Sequence, residues 1–244
     1  MNKEEQWLLT EKYSGVENDA FRDDQALLHS GRPLAYIIGS IPFLDCTIFL
    51  DSHPLIPRVE TEFWVDKAIT EVRRSGDVAQ ILDLCAGSGV IGVSIANALQ
   101  NTHVTFGEIN IHDIPTIKKN LIENQISADK YEIIESDLFE NIVTKFHYIF
   151  TNPPYIDPTA NTVDVSVATH EPYLALYGGI KGLQCIKKII SQAPAHLHEH
   201  GQLWIEHEPE QTTDIHKMAS ESNFYCTTHN DQYEVERYSV LVLQ

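Results

Sequence analysis

The stretch TNPPYI (151–156) combines groups that could hold a planar nitrogen. The side-chain carbonyl of Asn152 can accept one N–H, and the main-chain carbonyl of Pro153 can accept a second. Pro153 and Pro154 stiffen the backbone because proline fixes φ and has no amide hydrogen. Tyr155 adds a flat face on which a planar group could stack. The motif predicts a catalytic site for an NH₂ on an sp² centre; a simple turn is the alternative.

A glycine-rich turn, LCAGSGVIG (84–92), joins a predicted strand to a predicted helix. Small residues let a ligand approach the backbone closely, and a helix N-terminus presents free amides. A carboxylate at the end of the next strand, Glu108, can accept hydrogen bonds from both hydroxyls of a ribose. The pattern favours a nucleoside-like ligand over a tight turn with a structural carboxylate. The predicted contacts here are Gly87, Ser88, Gly89, Glu108 and Ile109.

Two more carboxylates favour a cationic nucleoside over a dinucleotide. Asp83 comes just before the glycine turn, where it would repel a pyrophosphate and attract the ammonium and sulfonium of S-adenosylmethionine. Asp137 follows the third predicted strand and could accept the exocyclic amine of adenine, while Leu138 packs on the ring. A helix N-cap is an equally good interpretation of Asp137. We therefore predict S-adenosylmethionine as cofactor and S-adenosylhomocysteine as product.

Methyl transfer to an amide or aromatic amine needs positioning, because the nitrogen lone pair is delocalised. Two acceptors on the N–H bonds favour a more tetrahedral nitrogen whose lone pair points at the methyl carbon. Such positioning can supply roughly several kcal/mol. No strong general base is required, since the methylated cation loses its proton readily.

Alternating strands and helices must position these motifs. Strands are predicted at 79–84, 103–107, 131–134, 146–150 and 201–206, and in the late stretches FYCTT and YSVLVL. The alternation indicates an α/β, Rossmann-like fold with a doubly wound, mostly parallel seven-stranded sheet, which binds ligands beyond the carboxyl ends of its strands. Upstream, we predict helix over the first thirty or so residues and a β-hairpin in GRPLAYIIGSIPFLDCTIFLD (31–51).

Composition narrows the possible partners and the compartment. The 244 residues include 17 Lys and Arg and 35 Asp and Glu, a formal net charge of −18 that disfavours nucleic acid as a partner. The four cysteines form no C-x-x-C pair and the twelve histidines are scattered, so we expect no metal and a reducing cytoplasm. The N-terminal stretch is not typical of a signal peptide, and no apolar run approaches the roughly 20 residues that span a bilayer. We expect a cytoplasmic protein without a membrane segment.

The motifs together resemble a known family. DLCAGSG (83–89), Glu108 and NPPY (152–155) are similar to the amino-methyltransferases that use S-adenosylmethionine. GRPLAYIIG and LIPRVETE narrow the resemblance to the HemK family, the glutamine N5-methyltransferases of peptide chain release factors, over about residues 30–244. The resemblance implies a class I methyltransferase fold and methylation of the glutamine in a Gly-Gly-Gln loop. NPPY alone also occurs in adenine-N6 methyltransferases.

The resemblance also assigns roles to individual positions. The glycine turn would contact the methionine end of the donor, Glu108 its ribose and Asp137 its adenine. The substrate glutamine would be held by Asn152 and Pro153, with Tyr155 nearby. Further candidate substrate contacts lie in LIPRVETE (55–62): Arg58, Glu60 and Thr61. For Arg58 and Glu60 a helix-start ion pair is the alternative, and Glu171 matches a family segment of less certain role.

The chain also departs from the family pattern. Cys85 and Ala86 replace the more usual Gly and Thr, and Glu108 replaces Asp, so its ribose contact reaches one methylene further. We predict a shortened N-terminal segment with a β-hairpin for substrate docking at 1–52, a catalytic domain at 53–244, and a monomer.

Four alternatives remain open at this point. The first is a glutamine methyltransferase of a large-subunit ribosomal protein, which the motifs do not separate from the release-factor enzyme. The second is an adenine-N6 methyltransferase of DNA or RNA, against which the charge of −18 counts. The third is an NAD-dependent oxidoreductase, which leaves NPPY unexplained. The fourth is a noncatalytic adaptor, against which the intact motifs count.

Overall fold

Seven strands form one central sheet in the computed structural model, which describes residues 1–76, 79–160 and 163–244. The strands of these residues are β1 Ser40–Phe43, β2 Cys46–Phe49, β3 Ala79–Leu84, β4 Thr102–Glu108, β5 Tyr131–Glu135, β6 Phe146–Thr151, β7 Leu197–Glu206, β8 Phe224–Asn230 and β9 Glu236–Leu243. The α-helices are α1 Lys3–Tyr13, α2 Asp19–His29, α3 Leu34–Ile38, α4 Val59–Ser75, α5 Val90–Ala98, α6 Ile114–Glu123, α7 Val165–His170, α8 Tyr173–Leu176, α9 Leu183–His196 and α10 Thr212–Glu221.

The sheet has the strand order β5-β4-β3-β6-β7-β9-β8. Strands β5, β4, β3, β6 and β7 run parallel to one another, whereas β9 is antiparallel to both β7 and β8. Strands β4 and β5 follow one another on one side of β3, and β6 lies on the other side of β3. The switch point therefore lies between β3 and β6, where a doubly wound sheet forms its ligand crevice. The predicted mostly parallel, seven-stranded Rossmann-like fold is confirmed.

Helices cover both faces of the sheet because successive strand residues point to opposite sides. In β3, Ile81 belongs to the hydrophobic cluster under α4, α5 and α6, and Leu82 belongs to the cluster under α9 and α10. Helix α9 shows how the sequence dictates this packing. Its buried residues follow the spacing of a single helix face: Ile186, Ile189, Ile190 and Ala193.

The N-terminal segment is partly different from the prediction. Residues 34–38 form helix α3, not the first half of a hairpin; Pro33 precedes it and Gly39, in the left-handed conformation, ends it. The hairpin is shorter, with Ser40 opposite Phe49 and Phe43 opposite Cys46. Local β-propensity was outweighed here by the proline and glycine that delimit one helical turn.

A small hydrophobic cluster holds the first three helices together. Its buried members are Leu8, Phe21, Leu28 and Ile37. The hairpin residues Phe43 and Ile48 instead belong to the large cluster that contains Trp64 of α4. The division of the chain after residue 52 stays a prediction.

Candidate functional site

A cavity of about 440 Å³ opens beyond the carboxyl ends of β3, β4, β5 and β6. Its volume lies in the range of small-molecule sites. The structure brings to its wall nine residues that the sequence singled out: Thr61, Gly87, Ser88, Glu108, Ile109, Asp137, Leu138, Asn152 and Pro154. The carboxyl ends of four separate strands, β3 to β6, thus supply one site at the switch point.

Glu108 ties the end of β4 to the glycine turn after β3. Its Oε2 accepts the amide of Gly87 at 2.7 Å, and its Oε1 accepts the amide of Asn110 at 2.8 Å. Burial raises the pKa of Glu108, and the amide hydrogen bonds oppose that shift. Each carboxylate oxygen has a second lone pair. Glu108 can therefore accept two hydroxyls from a ligand while it holds the turn.

Asp83 is placed differently from the prediction. It is fully buried and, in the described part of the chain, is not among the residues that line the cavity. Its Oδ2 accepts the amide of Gly92 at 2.8 Å, and burial raises its pKa well above the usual value. The reason is the alternation of side chains along a strand. Asp83 lies two residues after Ile81, so it points to the same face of the sheet, beneath α5. Asp83 anchors the helix that follows the turn.

The later glycines of the turn serve packing. Gly89 immediately precedes α5 and lies outside the lining, unlike Gly87. A Cβ on Gly92 would lie 2.4 Å from Cε1 of Phe106, so only glycine lets α5 approach β4 this closely. The spacing G-x-G-x-x-G therefore marks a helix packed tightly on the sheet.

Asp137 and Leu138 line the cavity beyond β5. The helix that Asp137 was alternatively expected to cap does not form, because residues 138–141 are turns. Ser136 holds this turn instead: its hydroxyl donates to the carbonyl of Leu138 at 2.8 Å and accepts the amide of Asn141 at 3.0 Å. The Asp137 side chain is exposed at the cavity wall.

Asn152 presents an unpaired acceptor at the switch point. Its Nδ2 donates to the hydroxyl of Thr61 at 3.2 Å. Its Oδ1 is buried and has no hydrogen-bond partner among the described residues. An unpaired buried acceptor is costly and marks a place where a ligand donor is expected.

Tyr155 does not offer its ring to the cavity as predicted. Its hydroxyl donates to Oε1 of Glu206 at 3.1 Å, and neither Tyr155 nor Pro153 is among the described lining residues. Burial raises the pKa of Tyr155 well above its usual value. Tyr155 therefore fixes the NPPY motif on the side away from the cavity, whereas Pro154 forms part of the cavity wall.

A neighbouring segment replaces the ladder hydrogen bonds that the prolines cannot make. The amide of Ile156 donates to the carbonyl of Leu176, and the amide of Gly178 donates to the carbonyl of Ile156, each at 2.9 Å. A Cβ on Gly178 would lie 2.3 Å from the carbonyl oxygen of Pro154. Only glycine allows this approach, which secures the far end of the motif.

Arg58 forms an ion pair with a partner that the sequence did not suggest. Its Nη2 donates to Oε1 of Glu171 at 2.6 Å, so the proposed helix-start pair with Glu60 is wrong. Neither Arg58 nor Glu60 lines the cavity in the described residues, whereas Thr61 does. The role of Arg58 is to join two loops at the cavity wall.

Comparison with known proteins gives the family. The chain is 35% identical over 201 residues to the release factor glutamine methyltransferase of Lactococcus lactis subsp. lactis, covering 82% of this chain and 72% of that protein. It is also 35% identical to the protein of that name from Francisella tularensis, covering 85% and 74%. The chain belongs to the release factor glutamine methyltransferase family. The predicted family is confirmed.

Other matches agree with a methyltransferase of this family. The "Methyltransferase small domain" profile matches residues 68–171. A methyltransferase structure from Pyrococcus furiosus aligns with a TM-score of 0.62 at 15% identity, covering 90% of this chain and 97% of that one. A Thermus thermophilus 16S rRNA methyltransferase solved with AdoMet and guanosine aligns with a TM-score of 0.55 at 19% identity, covering 84% and 49%. At these identities the two structures show a shared fold.

The sequence reasoning missed several residues of this methyltransferase's site. Glu206 ends β7 and accepts hydrogen bonds from three side chains behind Asn152. An acid at a strand's carboxyl end was the signal already used for Glu108, and it applied to Glu206 as well. The missed lining residues include Tyr173, Leu174, Gln184, Cys185 and Lys188.

The described residues contain neither a metal-binding cluster nor a membrane-spanning helix. No group of three or more His, Cys, Asp or Glu in the described ranges could hold a metal ion. Within those ranges, no helix of this family member is both long enough and apolar enough to cross a bilayer.

Proposed function

We propose that this protein transfers a methyl group from S-adenosylmethionine to the N5 side-chain amide of the glutamine in the Gly-Gly-Gln loop of a peptide chain release factor. The observation that carries the proposal is the buried, unpaired Oδ1 of Asn152 in the wall of the cavity. A primary amide supplies the N–H donor that this oxygen lacks.

The donor fits the remaining wall of the cavity. Glu108 has lone pairs left for the two ribose hydroxyls, and the exposed carboxylate of Asp137 can accept the adenine amine. Ile109 and Leu138 offer apolar surface for the ring, while Gly87 and Ser88 border the methionine end. When bound, S-adenosylmethionine supplies an electrophilic methyl group. The carboxylates of this wall complement its positive charge.

The chain's own contribution to the reaction is positioning. Asn152 Oδ1 accepts one N–H of the substrate amide. The main-chain carbonyl of Pro153, adjacent in sequence but outside the described cavity lining, is proposed as the second acceptor. Both interactions draw the nitrogen away from planarity and direct its lone pair into the donor side of the cavity. Orientation of this kind supplies roughly several kcal/mol of barrier reduction. The methylated nitrogen then releases its proton to solvent.

The substrate assignment follows from the relatives. Three relatives that are 33–35% identical to this chain carry the name release factor glutamine methyltransferase. A ribosomal protein uL3 glutamine methyltransferase of Francisella tularensis is 33% identical over 184 residues, which makes uL3 the second candidate substrate. The net charge of −18 disfavours DNA or RNA. We propose that residues 1–52 help to dock the release factor and that the enzyme acts as a cytoplasmic monomer.

A transfer assay with methyl-labelled S-adenosylmethionine tests the proposal. The protein is incubated separately with a release factor, its Gln→Ala loop variant, ribosomal protein uL3, and DNA. We expect label on the wild-type release factor and none on the loop variant. Label on uL3 alone would move the assignment to the second substrate. Label on DNA would overturn the proposal.

A further inference from the structure

The buried carboxylate of Glu206 lies behind Asn152 and accepts hydrogen bonds from three side chains. Glu206, at the end of β7, is 1% exposed. Its Oε2 accepts the hydroxyl of Thr61 and the indole N–H of Trp64, each at 2.7 Å. Its Oε1 accepts the hydroxyl of Tyr155 at 3.1 Å. The carboxylate therefore connects α4, β7 and the NPPY motif in the interior.

The chemistry of these groups decides which of them donates. The indole of Trp64 can only donate, so the Oε2 that faces it acts as an acceptor. Thr61 faces the same oxygen and donates its single hydroxyl hydrogen to it. Only lone pairs remain on Thr61 for its other neighbour. That neighbour, Asn152, must therefore turn its NH₂ towards Thr61.

We propose that Glu206 and Thr61 are positioning residues that select the orientation of the Asn152 amide, so that its carbonyl oxygen faces the substrate. This inference rests on the proposed function, since it explains why the site accepts an N–H donor. The two orientations of an asparagine amide are almost identical in shape and differ only in which atom donates. A hydrogen-bonded neighbour of fixed polarity is therefore needed to choose between them.

The consequence for substrate choice is direct. With its carbonyl facing the cavity, Asn152 binds a primary amide through one N–H. With the amide reversed, two NH₂ groups would oppose each other and the substrate nitrogen would lose an acceptor. The relay from Glu206 through Thr61 thus makes the site select groups that donate a hydrogen bond, such as the N–H of a primary amide.

Two substitutions of Thr61 test the relay. Thr61→Val keeps the shape but removes the hydroxyl, and Thr61→Ser keeps the hydroxyl. We expect kcat for release factor to fall about tenfold or more in Thr61→Val, equivalent to about 1.4 kcal/mol. Thr61→Ser should restore kcat to within about threefold of the wild type. S-adenosylmethionine affinity, measured by calorimetry, should change less than about threefold in both variants, which also shows that each variant folds.

An independent readout is the hydrogen exchange of the Asn152 side-chain NH₂, followed by NMR in protein labelled with ¹⁵N at asparagine. The signal is assigned as the one absent from Asn152→Ala. We expect exchange about tenfold faster in Thr61→Val than in the wild type and Thr61→Ser. Equal exchange in all three proteins, or equal kcat for Val and Ser, would overturn the relay. If the wild type does not methylate release factor, the proposed function fails, while the exchange measurement still decides on the relay.

Discussion

Arg58 and Glu171, 113 residues apart in the chain, form an ion pair with 2.6 Å between Nη2 and Oε1. The second oxygen of Glu171 accepts the amide of Ile56 at 3.0 Å. Pro57 and Pro172, which adjoin this pair, both line the cavity. The pair therefore joins the loop before α4 to the loop before α8 and completes one wall of the proposed active site.

Loss of Arg58 should destabilise the protein measurably. In Arg58→Ala the buried carboxylate of Glu171 keeps only the amide of Ile56 as a described partner. We expect the free energy of unfolding, from urea denaturation, to fall by about 1–3 kcal/mol. Arg22→Ala is the matched control, because Arg22 and Asp19 form a pair that is 65% and 97% exposed and should cost only about 0–1 kcal/mol. Equal losses for the two variants would contradict a structural role for the Arg58 pair.

Asn152→Ala should separate chemistry from donor binding. The substitution removes the acceptor that we assign to the substrate amide, and loss of one such preorganised group costs about 100-fold in kcat. The donor-facing residues Glu108 and Asp137 are unchanged, so calorimetry should give nearly wild-type affinity for S-adenosylmethionine. Wild-type turnover by this variant would exclude Asn152 from the reaction.

Glu108→Gln should weaken the donor complex. The substituted NH₂ would face either the amide of Gly87 or that of Asn110, both of which now donate to the carboxylate. The side chain also loses half of its acceptor capacity for the ribose. We expect calorimetry to show an affinity for S-adenosylmethionine about tenfold lower or more. Glu108→Asp retains both acceptor oxygens and should lose less affinity for S-adenosylmethionine than Glu108→Gln. A larger loss of affinity in Glu108→Asp would argue against ribose binding by Glu108.

Gly92→Ala should destabilise the fold through a steric contact with Phe106. The added Cβ would lie 2.4 Å from Cε1 of that ring, and overpacking of this kind costs about 1–3 kcal/mol. Urea denaturation provides the measurement. In a Phe106→Leu background the same substitution should cost less, because the ring carbon is gone. If Gly92→Ala lowered the free energy of unfolding equally in both backgrounds, the Phe106 ring would not be the source of the steric clash.

Asp83 should make stability depend on pH in a defined direction. Burial raises its pKa in the folded protein above the unfolded value of about 3.9, so folding favours the protonated form. Its contribution is fully present below the unfolded pKa and is lost as the pH rises through the folded pKa.

The variant Asp83→Asn removes this titration and retains an acceptor for the amide of Gly92. We expect its unfolding free energy, relative to the wild type, to rise between pH 5 and pH 8. The exposed control Asp66→Asn should show no such trend. A difference that does not change with pH would mean that Asp83 has an ordinary pKa.

Much of the fold and part of the site could be predicted from the sequence, because both depend on local patterns. Apolar runs separated by amphipathic helices located the strands of the sheet, and parallel strands bring their carboxyl ends to the same edge. Glu108, Asp137 and Asn152 each follow or end such a strand, so their convergence on one cavity could be expected. Helix α3 was missed because proline and glycine outweighed β-propensity over only five residues.

Short-range spacing in the sequence encodes the doubly wound sheet, the family and the residues gathered at the switch point. The folded structure was needed to establish the orientation of the Asn152 amide, the burial of Asp83 and Tyr155, and the ion-pair partner of Arg58. These depend on partners far away in the chain, such as Thr61 and Glu206, which are separated by 145 residues. A hydrogen bond has a direction, and that direction is settled only once folding has brought donor and acceptor together.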